Sequence, residues 1–301
     1  MIKKTTTILL PLLCFAAQYA AASKLTENRL EAPVSSSYTT LWFILAFGGV
    51  FLLVTLYNHW AKVKMLFRMF GGTLRMEEDT QLTEDQQRKM LLSGVYSTQK
   101  SSPMNVIKTG MGREERRELL SRAYGITDSA TAKDKLDYFK DAGSRRFFTQ
   151  VTESLKLKNK KEIQQYISES FEDEEDMQDC WEQVQYAFAS LEPLIKEQII
   201  RDEADFIRIG PDAWDVGRLV FVARMCTEEG WITEEELWRY ADAADEIAHR
   251  TLTSWEDFGK SYIIGRCLWC GTANYFEVMT GYAKKMYTNP KSPWKRIPFA
   301  K

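Results

Sequence analysis

From residue 76 to residue 301 apolar side chains recur at three- and four-residue steps, and runs of alternating β-branched residues are missing. That period is helical, so the pattern predicts an all-α, compact multi-helix domain over 76–301. Thr83 with Gln86 forms a capping box ahead of Met90, Leu91, Leu92 and Val95. Ser97 to Ser102, before Pro103, reads as a loop, and Arg113 to Tyr124 as a helix closed at Gly125. Thr127 opens a helix that carries Leu136 and Phe139 and ends near Gly143. Further helices carry Ile163 and Ile167, then Trp181, Val184 and Phe188. Pro193 is placed near the start of another, running through Ile195 to Phe206. The last three major helices have the clearest entries: Asp212, Thr233 with Glu236, and Thr253 with Glu256. Pro290, Pro293 and Pro298 forbid a further long helix.

Ahead of this domain the pattern changes. Residues 1–22 combine Lys3 and Lys4, an apolar run from Ile8 to about Ala17, and Ala20-x-Ala22 before Ser23. This reads as a signal peptide, with an uncleaved first membrane segment as the alternative. Residues 23–38 form a short external segment, and 39–60 a transmembrane helix. No charged residue appears from Ala32 to Ala61, and the almost wholly apolar stretch from Leu41 to Tyr57 rises about 25 Å as a helix. Tyr38 and Trp42 at one end, with Tyr57 and Trp60 at the other, match an interfacial aromatic belt. Residues 61–75 are basic, with Lys62, Lys64, Arg68 and Arg75 and no acid among them. The positive-inside rule therefore places everything from residue 61 onward on the cytoplasmic side.

Charge narrows the classes of function. Forty Lys+Arg against 42 Asp+Glu give a net charge of -2, so no basic footprint for nucleic acid is present. Cys180, Cys226, Cys267 and Cys270 are expected as thiols in a reducing compartment. Cys267-x-x-Cys270 has no second close pair to complete a zinc site. The acidic run from Glu172 to Asp176 complements a helix start. His249, without a local Ser or Cys, reads as a solvated helix-end residue.

Seven of the nine tryptophans lie between Trp181 and Trp294. Two Gly-Arg pairs, Gly217-Arg218 and Gly265-Arg266, interrupt apolar helices there. Trp214, Asp215 and Arg218 share one helix face, while Trp255, Phe258, Tyr262, Arg266 and Trp269 form a stripe at three- and four-residue steps. One reading is structural: close helix contact at Gly217, Gly259 and Gly265, with each guanidinium in an ion pair. Its carboxylate would come from Asp215, Glu236, Asp242, Asp245, Glu246 or Glu256. The other reading is a ligand pocket in which Arg218 and Arg266 supply charge and Trp214, Trp255, Tyr262 and Trp269 the walls, with Asp215 beside them. A metal-dependent hydrolase built from Asp215, Asp242, Asp245 and Glu246 is a third.

The segments A-W-D-V-G-R (Ala213 to Arg218), W-I-T-E-E-E-L-W (Trp231 to Trp238) and S-W-E-D-F-G-K-S-Y-I-I-G-R-C-L-W (Ser254 to Trp269) resemble a bacterial family of unknown function, YbeU/YbeR-like, catalogued under the number twelve-sixty-six. A-Y-G-I-T-D, from Ala123, and S-P-W-K-R-I-P-F resemble the ends of that domain, so the resemblance spans about 113–298. Phe299 stands where the family pattern has a tryptophan. The resemblance implies an α-helical domain and no established activity, so no catalytic residue or cofactor follows from it.

These observations lead us to expect a single-pass protein of the bacterial inner membrane whose cytoplasmic helical domain binds a protein or a small anionic ligand. The alternative is a metal-dependent hydrolase or nucleic-acid-directed enzyme that uses the carboxylate cluster.

Overall fold

A computed structural model of the chain describes residues 45, 46, 48, 49, 55, 74–272 and 276–300. Residues 45, 46, 48, 49 and 55 are helical. The rest of the expected span at 39–60, the signal-like segment 1–22, the external segment 23–38 and most of the basic segment 61–75 lie outside the described residues. Among the described residues no helix is long and apolar enough to cross a membrane.

Among the described residues of 74–300 the elements are helical, and the one β-type pairing is a single bridge between Arg75 and Pro103. In chain order they are α1 (Glu84–Leu91), α2 (Gly94–Lys100), α3 (Arg113–Tyr124), α4 (Ser129–Asp141), α5 (Phe148–Leu155), α6 (Lys160–Ser170) and α7 (Glu174–Lys196). Then follow α8 (Glu203–Ile209), α9 (Asp212–Glu228), α10 (Glu234–Thr251), α11 (Trp255–Cys270) and α12 (Phe276–Thr288). Short 3-10 turns lie at Ser144–Phe147 and Pro293–Lys295.

The cap chemistry explains most boundaries. Thr83 with Gln86 and Thr233 with Glu236 form reciprocal capping boxes. Gly125 takes the left-handed conformation (φ 68°) that closes α3. Other boundaries differ from the sequence pattern. The loop expected at 97–102 starts only at Ser101, because α2 carries Ser97 and Thr98 into the core. Asp128, not Thr127, caps α4, and Ser254, not Thr253, caps α11 by accepting from the amide of Asp257. Asp212 is the first residue of α9 rather than its cap. Pro193 lies in the last turn of α7 instead of opening a new helix. The short α5 lay hidden between Gly143 and Ile163.

α9 organises the domain. Every residue from Ala213 to Cys226 is buried, so this helix is enclosed on all sides rather than facing one layer. α2, α4, α10 and α11 pack round it, and α11 in turn carries α7, α8 and α12. α7 and α11 run antiparallel: Gly271 abuts Tyr186, and one turn away Ser190 lies beside the Cys267 thiol.

Candidate functional site

The two Gly-Arg pairs lie where α9 and α11 cross. A Cβ added at Gly217 would meet the Tyr262 ring at 2.9 Å, and one at Gly265 would lie 2.5 Å from the Pro211 carbonyl oxygen. Glycine costs about 1 kcal/mol in a helix, and the close crossing offsets it. A backbone carbonyl cannot rotate away, so Gly265→Ala is expected to cost about 1–3 kcal/mol in urea unfolding. A loss below about 0.5 kcal/mol would show that the crossing is not tight.

Asp215, fully buried, is the centre of a charged network. One carboxylate oxygen accepts from Arg218 on the next turn. The other accepts from the Arg145 amide at 2.9 Å and from its guanidinium at 3.4 Å. Gly143, at φ 66°, makes the turn that delivers Arg145, and a side chain there would collide with the carboxylate. Arg218 also donates to Ser144 Oγ at 3.0 Å, and its guanidinium carbon lies 4.7 Å from the Phe139 ring and 4.6 Å from the Trp214 ring. The ion-pair reading of Arg218 thus describes its geometry, with Asp215 as partner.

Trp214 is buried between two aromatic neighbours. Tyr262 stands edge-on at 5.0 Å and Trp269 is tilted over it at 5.6 Å. Trp269 is 53% exposed. Arg266 donates to Cys270 Sγ at 2.8 Å. Five of the seven expected site residues (Trp214, Asp215, Arg218, Tyr262 and Trp269) therefore belong to the α9–α11 crossing, while the contact seen for Arg266 is to Cys270 on its own helix. Trp255 does not belong to the crossing. It stacks on Trp294 at 4.7 Å, meets Phe258 and Phe299, and donates from Nε1 to the Ile297 carbonyl. The apparent single stripe on α11 is divided because one end faces the 293–300 segment and the other faces α9.

The carboxylates of the hydrolase reading are scattered. Asp242 pairs with Lys89 at 2.7 Å, Asp245 pairs with Arg88, and Asp215 belongs to the network above. Among the described residues no three His, Cys, Asp or Glu side chains are grouped to hold a metal ion. In the acidic run, Asp173 caps α7 and Asp176 pairs with Arg146. Burial pushes the thiols of Cys180, Cys226 and Cys267 up to about 12, so they are not activated nucleophiles.

Three groups escaped the sequence pattern. Arg224 is fully buried on α9. Arg88, buried in α1, pairs with Asp245 across to α10. His249 is the exposed helix-end residue expected, in the last turn of α10, but its contacts were not foreseen: it stacks on Phe299, and its ring nitrogens face the Asp245 and Phe299 carbonyl oxygens at 2.8 and 3.0 Å. Arg224 had left a trace, as the only charge in the run from Leu219 to Cys226.

Fold and site together define an all-helical domain around a buried helix, held by internal arginines. Within that class, the chain belongs to the family described as protein of unknown function, DUF1266, whose model matches residues 119–299. The matched range contains both Gly-Arg helices and the segment that covers Trp255. No curated protein and no solved structure is significantly similar to the chain.

Proposed function

We propose that the domain is a protein-binding module held at the inner face of a membrane by the apolar segment at 39–60. One observation carries the binding reading. Among the described residues of 74–300 the exposed large hydrophobics are Phe188, Ile195 and Trp269, and two of the three lie on α7. Phe188 and Ile195 are seven residues apart and share a face of α7. Tyr186 and Ser190 face α11, so Phe188 and Ile195, half a turn round the helix, form one exposed apolar strip on the side of α7 away from α11. An exposed aromatic and an exposed aliphatic side chain on one helix face are the kind of apolar patch that a partner covers. The charge-free run, its aromatic ends and the basic residues after it support the tether.

The experiment places a photoreactive residue at position 188 of the full chain in cells, with the exposed Glu235 as control site. A discrete cross-linked species is expected at 188 alone, and Ile195→Arg on the same face should abolish it while leaving unfolding stability within about 0.5 kcal/mol. Equal cross-linking at 188 and 235 would refute the docking face. The tether predicts that protease added outside spheroplasts spares residues 74–300, and digestion of that domain would refute its placement.

A further inference from the structure

α7 carries an apolar seam that runs further than the domain covers it. Met177, Trp181, Val184, Phe188, Leu191 and Ile195 follow one another at steps of four and three residues, the repeat that keeps a seam facing one partner helix. The domain itself lays a helix on the first half. α6 is joined to α7 by the short turn at 171–173, so the two run antiparallel, and Lys160 at the start of α6 lies 5.6 Å from the Trp181 ring. α5 also packs on α7, and Val184, the next seam residue, is buried. Beyond Val184 the cover stops. Phe188 and Ile195 are 44% and 43% exposed, with half-buried Leu191 between them.

Spacing and charge indicate what completes the seam. An added strand would need an open sheet edge to pair with, and among the described residues there is none. A helix needs only a row of apolar side chains at this repeat. Glu192, exposed, borders the open half, and Lys196, one turn on, is rotated further away from it. A second copy of α7 does not fit. In a parallel pair the halves already under α5 and α6 would meet, and the covering helices would collide. In an antiparallel pair a two-fold axis midway between Phe188 and Ile195 sets the two Glu192 carboxylates against each other, and like charges so placed repel.

We infer that the open half of the α7 seam receives an amphipathic α-helix of another protein. Its apolar residues lie over Phe188, Leu191 and Ile195, and a lysine or arginine stands opposite Glu192. This deepens the docking-face reading and rests on it. The partner helix continues along α7 the packing that α6 begins, the two placed end to end on one seam.

The probe is a labelled peptide of leucine, alanine and lysine, about 18 residues long so that it is helical in isolation, with leucine at three- and four-residue steps. It is titrated by fluorescence anisotropy into the full chain in nanodiscs of zwitterionic lipid. Ile195→Arg supplies the background of lipid and other surfaces. Positions 192 and 195 are exposed, so both variants used here keep the fold. The wild type should bind at least about tenfold more tightly than Ile195→Arg. Glu192→Lys should weaken binding about threefold or more, and should prefer the same peptide with glutamate in place of lysine. Equal binding of a proline-bearing peptide of the same composition would overturn the helical partner, as would equal binding of the lysine and glutamate peptides to the wild type. A cross-link from position 188 to a second copy of the chain would overturn it too. If position 188 captures a discrete partner in cells while the peptides do not distinguish the wild type from Ile195→Arg, the docking face stands and the helical partner falls. Absence of any cross-link at 188 removes both.

Discussion

Arg224→Met is expected to destabilise the domain by about 3–5 kcal/mol in urea unfolding of the full chain, the summed cost of leaving several buried oxygens without their donor. The side chain is fully buried in α9, and each of its N–H groups meets an oxygen. Nε donates to the Ile107 carbonyl at 3.1 Å, while Nη1 donates to Ser93 Oγ at 3.1 Å and Ser97 Oγ at 3.0 Å. Nη2 donates to the Pro103 carbonyl at 2.6 Å and the Lys108 carbonyl at 3.2 Å. None of these acceptors is a carboxylate. Arg224 is thus a tether that pins the segment between α2 and α3 to the central helix, joined there by Glu228, which accepts from the Thr109 amide at 2.7 Å. Burial pulls its pKa down to about 10, opposed by Glu228, which still leaves it charged at neutral pH. Methionine fills much of the same space but leaves three carbonyls and two hydroxyls without their donor, at about 1–3 kcal/mol for each group that water cannot reach. Arg224→Lys keeps the charge, but three donors on an ammonium cannot serve five acceptors, so a loss of about 1–3 kcal/mol should remain. Hydrogen exchange should accelerate first at 103–109 and leave α10 protected. If Arg224→Met unfolds within 1 kcal/mol of the wild type, the tether is not holding the segment.

This network also shows where sequence reasoning stopped. The helical class was legible because apolar periodicity and capping boxes act locally, and Thr83–Gln86 and Thr233–Glu236 close on themselves in space as they do in sequence. The glycines of the Gly-Arg pairs were legible as helix contacts for the same reason: a residue that costs helix stability needs a neighbour to justify it. The partners of the arginines were not legible. Asp215 is three residues from Arg218, but Arg145 reaches it from 70 positions away, and Arg224 binds carbonyls, which have no residue signature. Trp255 was grouped with Tyr262 and Trp269 because helical spacing reports a shared face. It does not report that α11 is long enough to face the 293–300 segment at one end and α9 at the other. The candidate site was therefore found in composition, whereas its division into a charged network on α9 and an aromatic cluster around Trp255 follows from long-range packing.

Asp215→Ala tests whether that charged network is a folding device. The carboxylate is fully buried and serves two guanidinium groups and the Arg145 amide, so its removal leaves Arg218 and Arg145 without their counter-charge. A loss of about 3–5 kcal/mol is expected. Asp215→Asn should lose nearly as much. An amide has one acceptor oxygen for two cationic partners and turns its own donors toward one of them. Pairing Asp215→Ala with Arg218→Met removes both members of the i,i+3 pair, and the double variant should be more stable than the sum of the single losses predicts. The expected coupling is more than about 1 kcal/mol, since neighbours in one network do not add. Additivity would mean that Arg218 finds equal compensation between the Phe139 and Trp214 rings, and Asp215 would then act through Arg145 and the turn at Gly143. In either case the carboxylate is committed to holding the Ser144–Phe147 turn against α9, and so is not free to serve as a general base or a metal ligand.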